Sequence, residues 1–141
     1  MGCFKMKSKI KFLATGDFHS DLSFVRDIKK NVDMSDIDYV IFTGDLSDKS
    51  NDFKSLLDVF EGKKILMTPG NHETKKGIEA LKEFYNVHLI GDKPFEVGEH
   101  IGVFGSNYCN VGPFRKSERE VFMDVLKGFR KVEGRQHKIL L

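Results

Sequence analysis

Three stretches of the chain share one arrangement of apolar and polar positions. "IKFLATGD" (residues 10–17), "DYVIFTGD" (38–45) and "KKILMTPGNHE" (63–73) each run through apolar residues into a glycine turn loaded with polar side chains. Near-continuous apolar runs predict strands buried on both faces, as in a parallel sheet. Helical spacing fills the gaps. From about Asp21 the pattern sets Leu22, Val25, Ile28 and Val32 on one face, with Asp21 or Ser20 as the cap. Phe53, Leu56, Leu57 and Phe60 form a second such face, ending at Gly62, and Ile78, Leu81 and Phe84 form a third. Strand alternating with helix predicts an α/β layered fold with right-handed crossovers.

After Asn86 the rhythm changes. "VHLIG", "PFEV" and "HIGVFG" read as short strands, the last two joined as a hairpin through Gly98 and Glu99. "SNYCNVGPFRKS" (106–117) reads as a surface loop. Ser117 and Glu120 have the spacing of a capping box for a helix with Val121, Val125, Phe129 and Val132 on its apolar side. "HKILL" predicts one more strand.

Composition changes this picture little. At 141 residues, 40% hydrophobic and 31% charged, the chain is expected to be a single soluble domain. A net charge of +2 argues for neither nucleic acid nor an anionic membrane as a partner. No apolar run approaches the roughly 18 residues of a membrane span. No export signal is legible at the N-terminus, so the expected location is cytoplasmic. "MGCFKM" departs from the myristoylation pattern at Met6, itself a plausible alternative start. Cys3 and Cys109 fit no metal pair or disulfide framework and are expected to be reduced.

The three glycine turns matter more. In an open α/β sheet, ligands bind beyond the carboxyl ends of the strands. There the turns deliver Asp17, His19, Asp45, Asp48, Asn71 and His72. Any one such turn is ordinary loop chemistry; three at equivalent strand ends are a site. Carboxylate, imidazole and amide oxygen suit manganese, iron, cobalt or zinc. A carboxylate can bridge two cations roughly 3.5–4 Å apart, an arrangement that acidifies water and clamps a phosphoryl group. The residues therefore point to hydrolysis of a phosphoester.

"GDFH", "GDLSD" and "GNHE" resemble the first three motifs of the calcineurin-like metallophosphoesterases, and the resemblance runs from about Ile10 to the last residue. It implies a four-layer α/β sandwich with a two-metal centre at the sheet edge. It makes Asp17 and His19 ligands of the first metal, Asp45 the bridge, and Asn71 a ligand of the second through its side-chain oxygen. His72 would face the substrate as an electrophile or as the acid that protonates the leaving oxygen, with Asp48 orienting it. The implied reaction is in-line attack by a metal-bound hydroxide on a phosphomonoester or phosphodiester. Lys49 stands where some members have a phosphate-gripping Arg, and keeps the charge without the bidentate fork. Ser20 replaces a frequent Gly.

The larger departure is at the end. The family pattern continues after a strand like "KILL" with a turn bearing one His and then G-H-x-H, neither of which precedes Leu141. By that count the first metal keeps Asp17, His19 and Asp45, and the second keeps only Asp45 and Asn71. His137 opens the final strand, roughly 13 Å from where the missing ligand belongs at about 3.3 Å per residue. His88 and His100 are not placed at the metal edge either. The expectation is a domain over residues 1–141 that is C-terminally incomplete and binds at most one divalent ion well. Little activity of its own and exposed apolar sheet surface prone to self-association are expected as a consequence. Two readings stay open: a piece of a longer enzyme, or a natural short form that holds one metal or serves as a scaffold for a protein partner. Nucleic acid enters only as a phosphodiester substrate. Substrate and oligomeric state are not legible, nor is whether the 106–117 loop, with Tyr108, Phe114, Arg115 and Lys116, supplies phosphate contacts.

Overall fold

The computed structural model describes residues 9–19, 21–46 and 57–141. Four parallel strands, β1 (Phe12–Thr15), β2 (Tyr39–Phe42), β3 (Lys64–Met67) and β4 (Val87–Leu89), form one sheet in sequential order. Their register pairs Phe12 with Tyr39, Tyr39 with Lys64, and Ile65 with Val87. A second sheet holds β5 (Phe95–Val97), β6 (Ile101–Phe104) and β7 (His137–Leu140), with β5 antiparallel and β7 parallel to β6. Among the described residues three α-helices accompany them: α1 (Leu22–Asn31), α2 (Lys75–Phe84) and α3 (Glu118–Val132).

Sequential order in a parallel sheet arises when every crossover has the same hand, because all connecting helices then fall on one face. The core confirms this division. Val40, Phe42, Ile65, Met67, Val87 and Leu89 pack with Val25 and Ile28 of α1, with Leu57 and Phe60, and with Ile78 and Leu81 of α2. The alternate residues Ile41 and Leu66 turn the other way and join Ile90 and Val103 in a second core, flanked by Phe12, Phe95, Ile101 and Ile139. Successive strand side chains point to opposite faces, so β2 and β3 are buried on both sides, as their unbroken apolar runs predict. On the far face of the second sheet, Gly102 lets Val132 of α3 approach where a Cβ would come within 2.4 Å of it. The layers are therefore helices, sheet, sheet and helix: the layered α/β sandwich expected.

Local signals set the element ends. Asp21 accepts the Ser23 N–H and caps α1, Thr74 caps α2 through the Gly77 N–H, and Ser117 with Glu120 closes the predicted capping box on α3. One predicted face needs correction. Phe84 is 71% exposed, because α2 ends there and Asn86 turns the chain at φ +51°; Tyr85, leaving the helical backbone, packs on the core instead. Phe129 keeps 36% of its surface but sets its ring 5.8 Å from that of Phe104. The second predicted helix is seen only from Leu57, ending in a 3₁₀ turn at Asp58–Phe60 before Gly62 at φ +76°. Phe53, Leu56, Asp48, Lys49, Ser20 and Cys3 lie outside the described residues. No helix among the described residues is long and apolar enough to cross a membrane.

Candidate metal centre

Each of the three glycine turns pairs exposed or half-buried polar residues with a buried anchor. After β1, Phe18 is buried with its ring edge-on to Phe42 at 5.9 Å, so Asp17 and His19 on either side face outward. After β2, Leu46 is buried beside Asp45, and after β3, Glu73 is buried beside His72. The apolar anchors contribute about 1.5–3 kcal/mol each by burial, and they fix which way the neighbouring polar side chains point.

Backbone geometry in these turns is unusual. Asp17, His19 and Asp45 have φ of +60°, +45° and +52°, the left-handed region that costs about 1–3 kcal/mol for a residue with a side chain. Asp and His tolerate it better than most. Hydrogen bonds between turns hold it in place. The Asp17 N–H donates to Gly44 O at 3.0 Å and the His19 N–H to Asp45 O at 3.0 Å. The His72 N–H donates to Asp45 Oδ1 at 3.0 Å. Gly44 and Gly70 make the approach possible: a Cβ on Gly44 would lie 2.4 Å from Gly70 N, and one on Gly70 would lie 2.2 Å from Asp45 Oδ1.

The result is a cluster. Ligand atoms of His19, Asp45 and His72 all lie within 4.8 Å of one another, with the two imidazole rings edge-to-face at 4.7 Å. Asp17 is attached to it through His19, Oδ1 to Nε2 at 2.8 Å, with its own side chain 81% exposed. Three N and O donors match the protein-ligand count of a catalytic zinc-type site, and a mixed imidazole–carboxylate set suits manganese, iron or zinc. The residues fit a divalent cation.

Of the residues picked out by sequence, the structure brings His19, Asp45 and His72 together and joins Asp17 to them. Asn71 stands in the same turn, one position before His72. His72 therefore sits at the heart of the donor cluster, where a substrate-facing role and a ligand role are both open to it by distance. Asp48 is outside the described residues. The other histidines lie elsewhere: His88 Nε2 is 2.6 Å from Lys93 O, and the His137 N–H donates to His100 O. Register puts His137 beside Ile101, at the start of β6. The end of β6 is the side that meets the glycine turns, since the Tyr108 N–H donates to Pro69 O at 3.0 Å.

Two features bear on this, a loop whose role the sequence left open and a residue it did not foresee. The 106–117 loop borders the cluster: a Cβ on Gly112 would lie 2.6 Å from Asn71 Cβ, and the buried Asn107 ties the loop to Gly91 and Asp92. Lys75 Nζ lies 5.4 Å over the Phe114 ring. Glu73 is the other. It closes the third glycine turn, yet its type alone gives no sign that it would be turned inward.

A profile of the calcineurin-like phosphoesterases matches residues 10–137. Two curated relatives, each an uncharacterized metallophosphoesterase from a strain of Helicobacter pylori, are 28% and 29% identical over 97% of this chain. The chain spans 39% of their length. One crystal structure superposes with a TM-score of 0.63 at 16% identity, over 92% of this chain and 67% of its own. A protein of unknown function from Aquifex aeolicus does so at 0.51 and 17%, over 89% and 75%.

Proposed function

Since the chain belongs to the calcineurin-like phosphoesterase family, we propose that its strand-end cluster serves the divalent-metal-dependent hydrolysis of a phosphomonoester or phosphodiester. The observation that carries this reading is the convergence of His19, Asp45 and His72 within 4.8 Å at the carboxyl ends of β1, β2 and β3.

Asp17, His19 and Asp45 would hold the first cation, with Asn71 and a shared Asp45 offering the donors of a second. A bound divalent ion supplies Lewis acidity there, polarising a phosphoryl oxygen and acidifying water. His72, within the cluster, would serve as the acid that protonates the leaving oxygen, with Asp48 assigned to orient its imidazole. The backbone contributes as well: the His72 N–H on Asp45 Oδ1 holds this carboxylate in place beside the two imidazoles. Manganese, iron and zinc all fit this donor set.

The test is hydrolysis of an aryl phosphate monoester and an aryl phosphate diester by the 141-residue chain with Mn²⁺. Slow Mn²⁺-dependent turnover is expected, and Asp45→Asn should lower it by about 100-fold or more, the scale of losing a key electrostatic group in an active site. Full activity in Asp45→Asn would contradict the reading.

A further inference from the structure

We infer that Glu73 is a positioning residue: its buried carboxylate clamps the turn bearing Asp45 to the turn bearing His72, and so sets the affinity of the centre for its cation. The inference rests on the metal-site reading above and adds to it a residue that ligates nothing.

Glu73 is 1% exposed. Its Oε2 accepts from Asp45 N–H at 3.0 Å and from Gly70 N–H at 2.6 Å, and its Oε1 accepts from Leu46 N–H at 2.7 Å. Two of these donors belong to the turn after β2 and one to the turn after β3. An ionised carboxylate accepts and never donates, so three converging N–H groups select it over every other side chain of that size. Bonds from backbone N–H to a carboxylate are roughly twice as strong as neutral ones.

The clamp acts on Asp45 from behind. Asp45 has φ +52°, a backbone state that persists only where its surroundings fix it. Its carbonyl accepts from His19, its carboxylate from His72 and its N–H donates to Glu73. Without Glu73, the N–H groups of Asp45 and Leu46 lose their shared acceptor and the turn is freer to leave the left-handed region. Apolar contact would not substitute, because the buried Leu46 N–H would then lack an acceptor.

Glu73→Gln tests this with little change of volume. A carboxamide has one acceptor oxygen and a donor NH₂. With its oxygen placed like Oε2 it turns NH₂ toward the Leu46 N–H, and in the opposite orientation it loses two bonds. Calorimetric titration of Mn²⁺ into the full chain should give a Kd about 10- to 100-fold weaker for Glu73→Gln, the range seen when a residue supporting a ligand is removed. Melting curves of the metal-free forms, run alongside, separate this from global destabilisation. A folded Glu73→Gln with wild-type Kd would overturn the inference, whatever its melting temperature. Amide hydrogen exchange on the wild-type metal-free chain gives a readout that needs no variant. Asp45, Leu46 and Gly70 should be protected, and exchange at open-loop rates would overturn the clamp. If the wild-type chain takes up no Mn²⁺, or Asp45→Asn binds it equally well, the metal-site reading falls first and takes this inference with it.

Discussion

A methyl group on Gly70 would come within 2.2 Å of Asp45 Oδ1 and 2.9 Å of Asp45 N. The contact is with the proposed bridging carboxylate and the backbone behind it, so neither can simply rotate away. Gly70→Ala should therefore destabilise the chain by about 1–3 kcal/mol, the usual range for overpacking, and weaken Mn²⁺ binding with it. Gly134→Ala makes the control, since a Cβ there meets nothing within 4 Å; its melting temperature should stay near wild type. Equal behaviour of the two variants would show that the close packing of the turns is not what holds the site. At this scale the sequence was informative about which polar side chains gather and poor about what supports them. Asp17, His19, Asp45 and His72 are legible because side-chain type and strand-end position together suggest coordination. Glu73 is not, because a glutamate in a loop is ordinarily solvated, and only the three-dimensional convergence of N–H groups from two turns gives it work. The contacts of Gly112 and Tyr108 escaped for the same reason: their partners Asn71 and Pro69 are some forty residues away in the chain.

The helices show how far periodicity reaches. Val25, Ile28, Ile78, Leu81 and Val132 are buried as their spacing predicts, since a helix with one apolar stripe has one way to lie on a sheet. Phe84 fails because spacing does not locate the end of a helix, and a residue in the last turn can be rotated off the core where the chain changes direction. On α3 the exposed face carries a testable tie. Asp124 accepts from Ser106 Oγ and from Lys116 Nζ, joining both ends of the 106–117 loop to the helix. Burial pushes its carboxyl upward, but the bonds from Lys116 and Ser106 and the charges of Lys116 and Lys127 outweigh it, leaving the group below its ordinary value of 3.8. A group lowered in the folded state stabilises fully above its unfolded value, and that contribution is lost as pH falls through the folded one. Asp124→Asn should thus melt below wild type at neutral pH, and the gap should close on acidification below about pH 4. A gap that stays constant down to acid pH would rule out the ion pair as its source.

At the scale of the whole molecule, the two sheets and their flanking helices leave one edge where β1, β2, β3 and β6 all end and where the loops after them meet. Sequential strand order is what makes this edge useful, since it sets the three glycine turns side by side rather than scattering them. That order was inferable only as a class from alternating strands and helices, and the pairing itself emerged with the structure. The central claim is that these turns build one divalent-cation site with Asp45 at its middle. The most direct measurement is paramagnetic broadening of backbone amide signals by substoichiometric Mn²⁺ in the full chain. Broadening should begin at residues 17–19, 44–46 and 70–73, extend to Gly112 and Tyr108, saturate near one ion per chain and disappear in Asp45→Asn. Broadening centred on His88, His100 or His137, or unchanged in Asp45→Asn, would contradict the account.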